Sequence, residues 1–199
     1  MMAAEPLTRA QILAAATETL RRYGPAKTTV VDVAQALGVS HGAVYRHFPT
    51  KAALRAAVVQ QGLEAVAVRL RHITREDGPA ADRLHRWLLG LIDFKQTHAR
   101  EDPELFETYA MIGKDGPEIV AEHVEVLTAQ INRILADGVE AGEFHPAALD
   151  GAGEAIWDAT ARFHNPVYFQ EWKSPGIDEA FDRLWRLLLR GLAAKEPEG

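Results

Sequence analysis

The sequence predicts an all-α protein: an N-terminal three-helix head of the helix-turn-helix kind followed by a larger helical body. Three observations carry that expectation. Almost every segment shows apolar residues at a period of 3.6, and none alternates apolar and polar residues with β-branched enrichment as a strand would. Glycine, proline, serine and threonine punctuate the chain into roughly nine helices. Charge is divided unevenly: residues 1–51 hold six Lys or Arg against three Asp or Glu, net +3, and the remainder holds 16 against 25, net −9.

The first helix is expected from about Thr8, a capping residue, to Tyr23, with Ile12, Leu13, Ala16 and Leu20 on one face and Gly24-Pro25 as its stop. Thr28 and Thr29 then open a second helix, Val30 to Leu37. Gly38 takes the left-handed conformation that ends it, and Ser40 caps a third helix through Phe48, stopped by Pro49. A long linker helix follows over about 51–75, so the domain division is expected as 1–52 and 53–199. Gly78-Pro79, Asp102-Pro103, Gly116-Pro117, Gly142 and His145-Pro146 separate the helices of the body. One helix starts at Ala147 and ends near Asn165-Pro166, an irregular VYFQEWK follows, and Ser174-Pro175 starts the last helix, to about Ala194.

The short third helix raises the functional question. On a helical wheel His41, Val44, Tyr45 and Phe48 share one side, and Gly42, Ala43, Arg46 and His47 share the other. Val44 and Phe48 anchor the helix against Val33, Leu37 and Val39, and Ala34 is small enough for two helices to cross closely. Gly42 and Ala43 add no bulk where base edges are met, so the helix can sink into a major groove while Arg46 and His47 reach outward. The Tyr45 and Thr29 hydroxyls and the Lys51 ammonium are suited to phosphate, which positions the helix without reading sequence.

The stretch TTVVDVAQALGVSHGAVYRHFPTKAAL, residues 28–54, resembles the DNA-binding signature of the TetR (tetracycline-repressor) family of bacterial transcription regulators. Paired threonines, an apolar-Ala pair, Gly-Val-Ser, a small pair, an apolar-Tyr pair, His-Phe, and Lys before an apolar residue all fall in register. The resemblance implies phosphate contacts from Thr29, Tyr45, His47 and Lys51, and base contacts from His41, Gly42, Ala43 and Arg46. Val31 departs from it, standing where family members often carry a polar residue. It also implies a helical body that dimerises and binds a small-molecule effector, without saying which.

Within the body, the wide apolar stripes of the last two long helices, Ile156, Thr160 and Phe163 in one and Phe181, Leu184, Trp185, Leu188 and Leu192 in the other, form either a dimer surface or the subunit's own core. An effector pocket is expected among the linker helix and the helices of residues 80–165. Trp87, Phe94, Phe106, Tyr109, Met111, His123, Trp157 and His164 are its candidate lining, although aromatics at helical spacing are usually core. The aromatic stretch from His164 to Gly176 either walls that pocket or meets a partner subunit.

Other functions find little support. There is no cysteine, which removes disulfides and thiol chemistry, and there are only two serines, Ser40 and Ser174, both placed as helix caps. Gly113-Lys114 lacks the remainder of a phosphate-binding loop, and no histidine pair has metal-ligand spacing on one helix, so neither an enzyme, a cofactor nor a metal site is expected. A DNA-binding protein without sequence preference would carry more positive charge than the head has. No apolar run approaches the roughly 18 residues of a membrane span, and MMAAEPLTRAQILAAATETL has no basic leader, which predicts a cytoplasmic protein. The expectation is a homodimeric, ligand-responsive regulator, most simply a repressor, binding a double-stranded inverted-repeat operator. An activator or co-repressor-dependent regulator is the alternative, and a helical interaction protein stands behind both.

Overall fold

The structure, a computed structural model, describes residues 6–106, 108–109 and 117–194. Over these residues it is all helical, with helices α1 (Arg9–Lys27), α2 (Val30–Ala36), α3 (His41–Tyr45), α4 (Lys51–Arg71), α5 (Ala80–Glu101), α6 (Pro117–Glu140), α7 (Ala152–His164) and α8 (Ile177–Leu192). Residues 103–106 add a helical turn, and short 3-10 turns fill several connections.

The chain forms two compact units: Met1–Glu64 with His98–Val120, and Ala65–Thr97 with Ala121–Gly199. The boundaries of these units fall inside α4, α5 and α6. A continuous helical period carries no mark of a change in packing partners, which is why the sequence did not show it.

In the first unit Thr8 caps α1 and forms a capping box with Gln11, whose Oε1 accepts from the Thr8 amide at 2.8 Å. Gly24, at φ 71°, breaks the regular helix as expected, but a further turn runs through Pro25 to Lys27, and Thr28 secures it by donating to the Gly24 carbonyl at 2.8 Å. Ile12, Ala16, Leu20, Val30, Val33, Ala34, Val44, Phe48, Leu54 and Val58 close the core, joined by Leu105 from the later segment. That segment is further tied down where Asp102 pairs with Arg21 Nε at 3.2 Å.

The second unit is built around Val66, Leu70, Leu84, Trp87, Leu88, Leu91, Leu127, Ile131, Ile134 and Phe144. Several polar groups buried there are matched. The Trp87 indole donates to Gln130 Oε1 at 2.9 Å, and Gln130 Nε2 donates to the Ala67 carbonyl at 2.9 Å, joining α5, α6 and α4. Arg83 Nη1 donates to Asp137 at 3.0 Å and to the Thr74 carbonyl at 3.2 Å. Glu143, from 63 residues downstream, accepts from the Ala80 amide at 2.9 Å and caps α5.

Two expected starts are corrected. The segment at Ala147 is a 3-10 turn, Pro146–Leu149, and α7 begins only after Gly151, whose φ of 73° reorients the chain. Ser174 does not cap the last helix: Gly176, at φ 81°, occupies that position and α8 starts at Ile177. Of the two serines only Ser40 acts as a helix cap.

Candidate nucleic-acid interface

Helices α2 and α3 are joined by a turn that Gly38 makes possible, at φ 66°, with Val39 N–H reaching the Ala34 carbonyl at 3.0 Å. Ser40 then caps α3 by accepting from the Ala43 amide at 3.3 Å. The regular part of α3 ends at Tyr45 rather than Phe48. His47 N–H bonds the Val44 carbonyl three residues back at 3.0 Å, so the last turn tightens before Pro49.

The back of this short helix is fixed: Val44 is 0% and Phe48 1% exposed, packed with Val33, Ala34 and Leu54. Arg9 of α1 lies with its guanidinium carbon 4.3 Å from the centre of the Phe48 ring, closing the outer edge of that core. Its front is open. Gly42 and Arg46 are exposed, Ala43 and His47 half-buried, and Arg46 has no hydrogen bond or ion pair with any described residue. A Cβ placed on Gly42 would meet only Ser40 Oγ, at 4.0 Å, so nothing in the protein's own packing requires a glycine there.

His41 and Tyr45, one helical turn apart, are both exposed and stand edge to face with ring centres 6.4 Å apart. The two-sided wheel grouped them with the buried anchors, yet α3 is so short that only Val44 and Phe48 reach the core. Lys51 Nζ donates to the Ala26 carbonyl at 3.4 Å, tying the start of α4 to the end of α1. Partial burial, and then the nearby Arg55, hold its ammonium below the ordinary lysine range. It is positioned rather than trailing in solvent.

Thr29, one of the expected phosphate contacts, is also the N-cap of α2. Its hydroxyl donates to Asp32 Oδ2 at 2.6 Å and accepts from the Asp32 amide at 3.3 Å, a capping box for α2. Those bonds from Thr29 hold the Asp32 carboxyl below its usual range. The hydroxyl proton is thus committed, and an ionised carboxylate beside it repels phosphate. The S/T-x-x-D spacing of this cap is visible in TTVVD.

The other candidates divide between the units. Trp87, Phe94, His123, Trp157 and His164 lie in the second unit. Trp87 is fully buried, His123 and His164 are 9% and 2% exposed, and Phe94 and Trp157 are half-buried. Phe106 and Tyr109 lie in the first unit, Tyr109 packed on the helix-turn-helix core, and Met111 lies outside the described residues. Ile156, Thr160, Phe163 and Phe181 are corrected as dimer surface, because each is at most 4% exposed within its own subunit. An apolar stripe shows that a face is covered, not by what. Leu184, Trp185 and Leu188 are half-buried, Trp185 stacked 4.7 Å from His85, while Leu187 beside them is 66% exposed.

The stretch after His164 serves its own unit at its ends and faces outward between them. Trp172 is buried and its indole donates to the Arg162 carbonyl at 2.9 Å, whereas Val167, Tyr168 and Phe169 are exposed. No helix among the described residues is long and apolar enough to cross a membrane.

Similarity to known proteins agrees with this geometry. The chain is 28% identical over 191 residues to the nucleoid occlusion factor SlmA of Marinobacter nauticus, covering 92% of this chain and 95% of that one. It is 46% identical over 68 residues to the HTH-type transcriptional regulator TtgR of Pseudomonas putida, 34% of this chain and 30% of that one. Among solved structures, a TetR/AcrR-family regulator from Thermobifida fusca superposes with a TM-score of 0.69 at 24% identity, covering 92% of this chain and 97% of that one. FadR of Bacillus subtilis, solved in complex with stearoyl-CoA, gives 0.64 at 18%, over 92% and 99%. Residues 12–58 match the family described as bacterial regulatory proteins, tetR family, and residues 80–185 match the tetracyclin repressor-like C-terminal domain. With the head and more than half of the chain's length matched, this protein belongs to the TetR family of DNA-binding transcription regulators.

Proposed function

We propose that the protein is a repressor that binds an inverted-repeat operator as a homodimer and is released by a small, largely apolar effector. The observation that carries the DNA-binding part is the open front of α3. Arg46 is exposed and unpaired among the described residues, beside a glycine for which the fold itself has no steric need. Gly42 and Ala43 let the backbone approach the floor of a major groove, where the Arg46 guanidinium fork fits the two acceptors of guanine. His41 reaches a neighbouring base edge. Tyr45, His47 and the anchored Lys51 meet phosphate on either side.

A helix this short reads few bases, so two copies related by a two-fold axis are needed, set roughly 34–36 Å apart to enter successive major grooves. The effector part draws on the second unit, whose fold is shared with a protein solved in complex with stearoyl-CoA. Ligand release of DNA then follows as a population shift, in which the effector favours an arrangement whose heads no longer match the operator. Helices α4, α5 and α6 each contribute residues to both units.

The test is a gel-shift titration with DNA flanking the protein's own gene against random competitor at several salt concentrations. Arg46→Ala is expected to weaken operator binding by about 10-fold or more while barely changing random DNA, equivalent to about 1–3 kcal/mol of lost discrimination. Lys51→Ala should weaken both alike and flatten the salt dependence. Equal losses from Arg46→Ala on both DNAs refute the reading role.

A further inference from the structure

The second unit contains a group of ionisable side chains that the DNA-binding reading leaves unused. Lys95 of α5, His123 of α6 and His164 of α7 lie within electrostatic reach of one another. Gln96, next along α5, donates to the Phe163 carbonyl at 3.2 Å and fixes α5 against α7 at this level.

These three groups differ in what is left unpaired. Thr160 donates to the Ile156 carbonyl at 2.8 Å, and its hydroxyl lies 3.2 Å from His164 Nε2 as that nitrogen's hydrogen-bond partner. His164 is thereby satisfied, and its ring lies 4.3 Å from that of Trp157. His123 is 9% exposed and its Nε2 has no hydrogen-bond partner among the described residues. Lys95 has neither a hydrogen bond nor an ion pair with any described residue. Burial brings its ammonium down to about 8, and no carboxylate among the described residues counters that effect. Burial, and then the field of Lys95, bring both histidines down to about 3, so at neutral pH the group is one cation with two neutral rings.

Lys95 is half-buried as a residue, yet its ammonium is desolvated, and a desolvated cation without a counter-charge among the described residues is costly, since natural interiors pair such groups. Water would satisfy His123 but would not neutralise Lys95. We propose that the second unit takes its effector as an anion, a carboxylate-bearing molecule with an apolar body, held between Lys95 Nζ and His123 Nε2 with that body against the Trp157–His164 ring pair. This rests on the effector-binding reading above and names the chemical class of the effector. A single positive charge matches a monoanion, whereas a phosphate dianion would leave buried negative charge uncompensated. The ring pair supplies the apolar wall that such a body requires.

The experiment is calorimetric titration of the full-length protein with benzoate, naphthoate and octanoate, each against its primary amide, which separates aromatic from aliphatic bodies at constant head group. At pH 7 at least one acid is expected to bind about 10-fold or more tighter than its amide, and Lys95→Met to reduce that preference to within about 3-fold. Because binding requires the lysine proton, affinity should fall about 30-fold between pH 7 and 9.5, and this fall should vanish in Lys95→Met. His123→Gln, which keeps a donor, should retain more of the preference than His123→Phe, a comparison that holds if Lys95→Met fails to fold. Amides that bind as well as the acids, failure of every acid to bind, or an acid preference that survives in folded Lys95→Met overturns the proposal.

Operator gel shifts with the same compounds separate the two readings. An acid that binds through Lys95 without changing DNA retention leaves the site standing and removes the regulatory reading. A neutral compound that releases DNA while no acid binds removes the site and leaves effector control in place.

Discussion

At the residue scale, burial of ionisable groups makes stability depend on pH in a defined way. His123 and His164 are held at about 3, below the usual 6.5. Between those values the unfolded chain binds protons that the folded chain does not, so their stabilisation is complete above about pH 6.5 and is lost as pH falls toward 3. Lys95 is held at about 8 against an ordinary 10.5, so stability should rise with pH across that window as the buried amine sheds its charge. Each effect is on the order of 1–3 kcal/mol once residual solvation is allowed for. Calorimetric melting at pH 4.5, 7 and 9.5 should show an acid limb that His123→Gln flattens and an alkaline rise that Lys95→Met abolishes. Lys95→Met should also melt no lower than the parent at pH 7, because it removes an unpaired charge.

At the element scale, two helical glycines predict opposite outcomes because of what surrounds them. In α3 a side chain on Gly42 would meet little of the protein itself. Gly42→Met should therefore leave the melting temperature within about 2 °C, or raise it through higher helix propensity, while abolishing operator binding by filling the groove-facing front. In α6 a Cβ on Gly138 would stand 2.6 Å from Phe144 Cε2 and 2.9 Å from Ala80 Cβ, with Phe144 only 2% exposed. Although alanine ordinarily favours a helix, overpacking here should cost about 1–3 kcal/mol. Urea titration should show the loss, with Phe144→Leu restoring part of it. A Gly138→Ala variant as stable as the parent would mean that this contact relaxes freely.

At the scale of the whole molecule, the proposed homodimer and operator make one geometric prediction. Two heads fixed to a dimeric body should bind half-sites whose centres are one helical turn apart or a multiple of it. Inserting about 5 base pairs at the operator's centre rotates one half-site to the opposite face of the duplex, and should reduce binding to the random-DNA level, while about 10 restores part of it. Gel shifts on that insertion series, with sedimentation to count subunits, check both parts. Uniform binding across the series would indicate heads that act independently. Val167, Tyr168, Phe169 and Leu187 are among the exposed apolar residues of the second unit available to a partner subunit, whereas the buried residues first expected there are not.

The sequence by itself determined the helical class, the glycine turn between α2 and α3, the Ser40 cap, the buried pair Val44 and Phe48, and the family. These depend on local rules: residue period, capping chemistry and backbone sterics act over a few positions and leave a pattern in the letters. Tertiary structure decided what local rules do not reach. It placed a break in packing inside the unbroken helices α4 and α5, assigned the stripe from Ile156 to Phe163 to the subunit's own core, and capped α5 with Glu143 from 63 residues away. It alone brought Lys95, His123 and His164 within reach of one another, because a shared interior is created by the crossing of three helices and by no spacing along the chain.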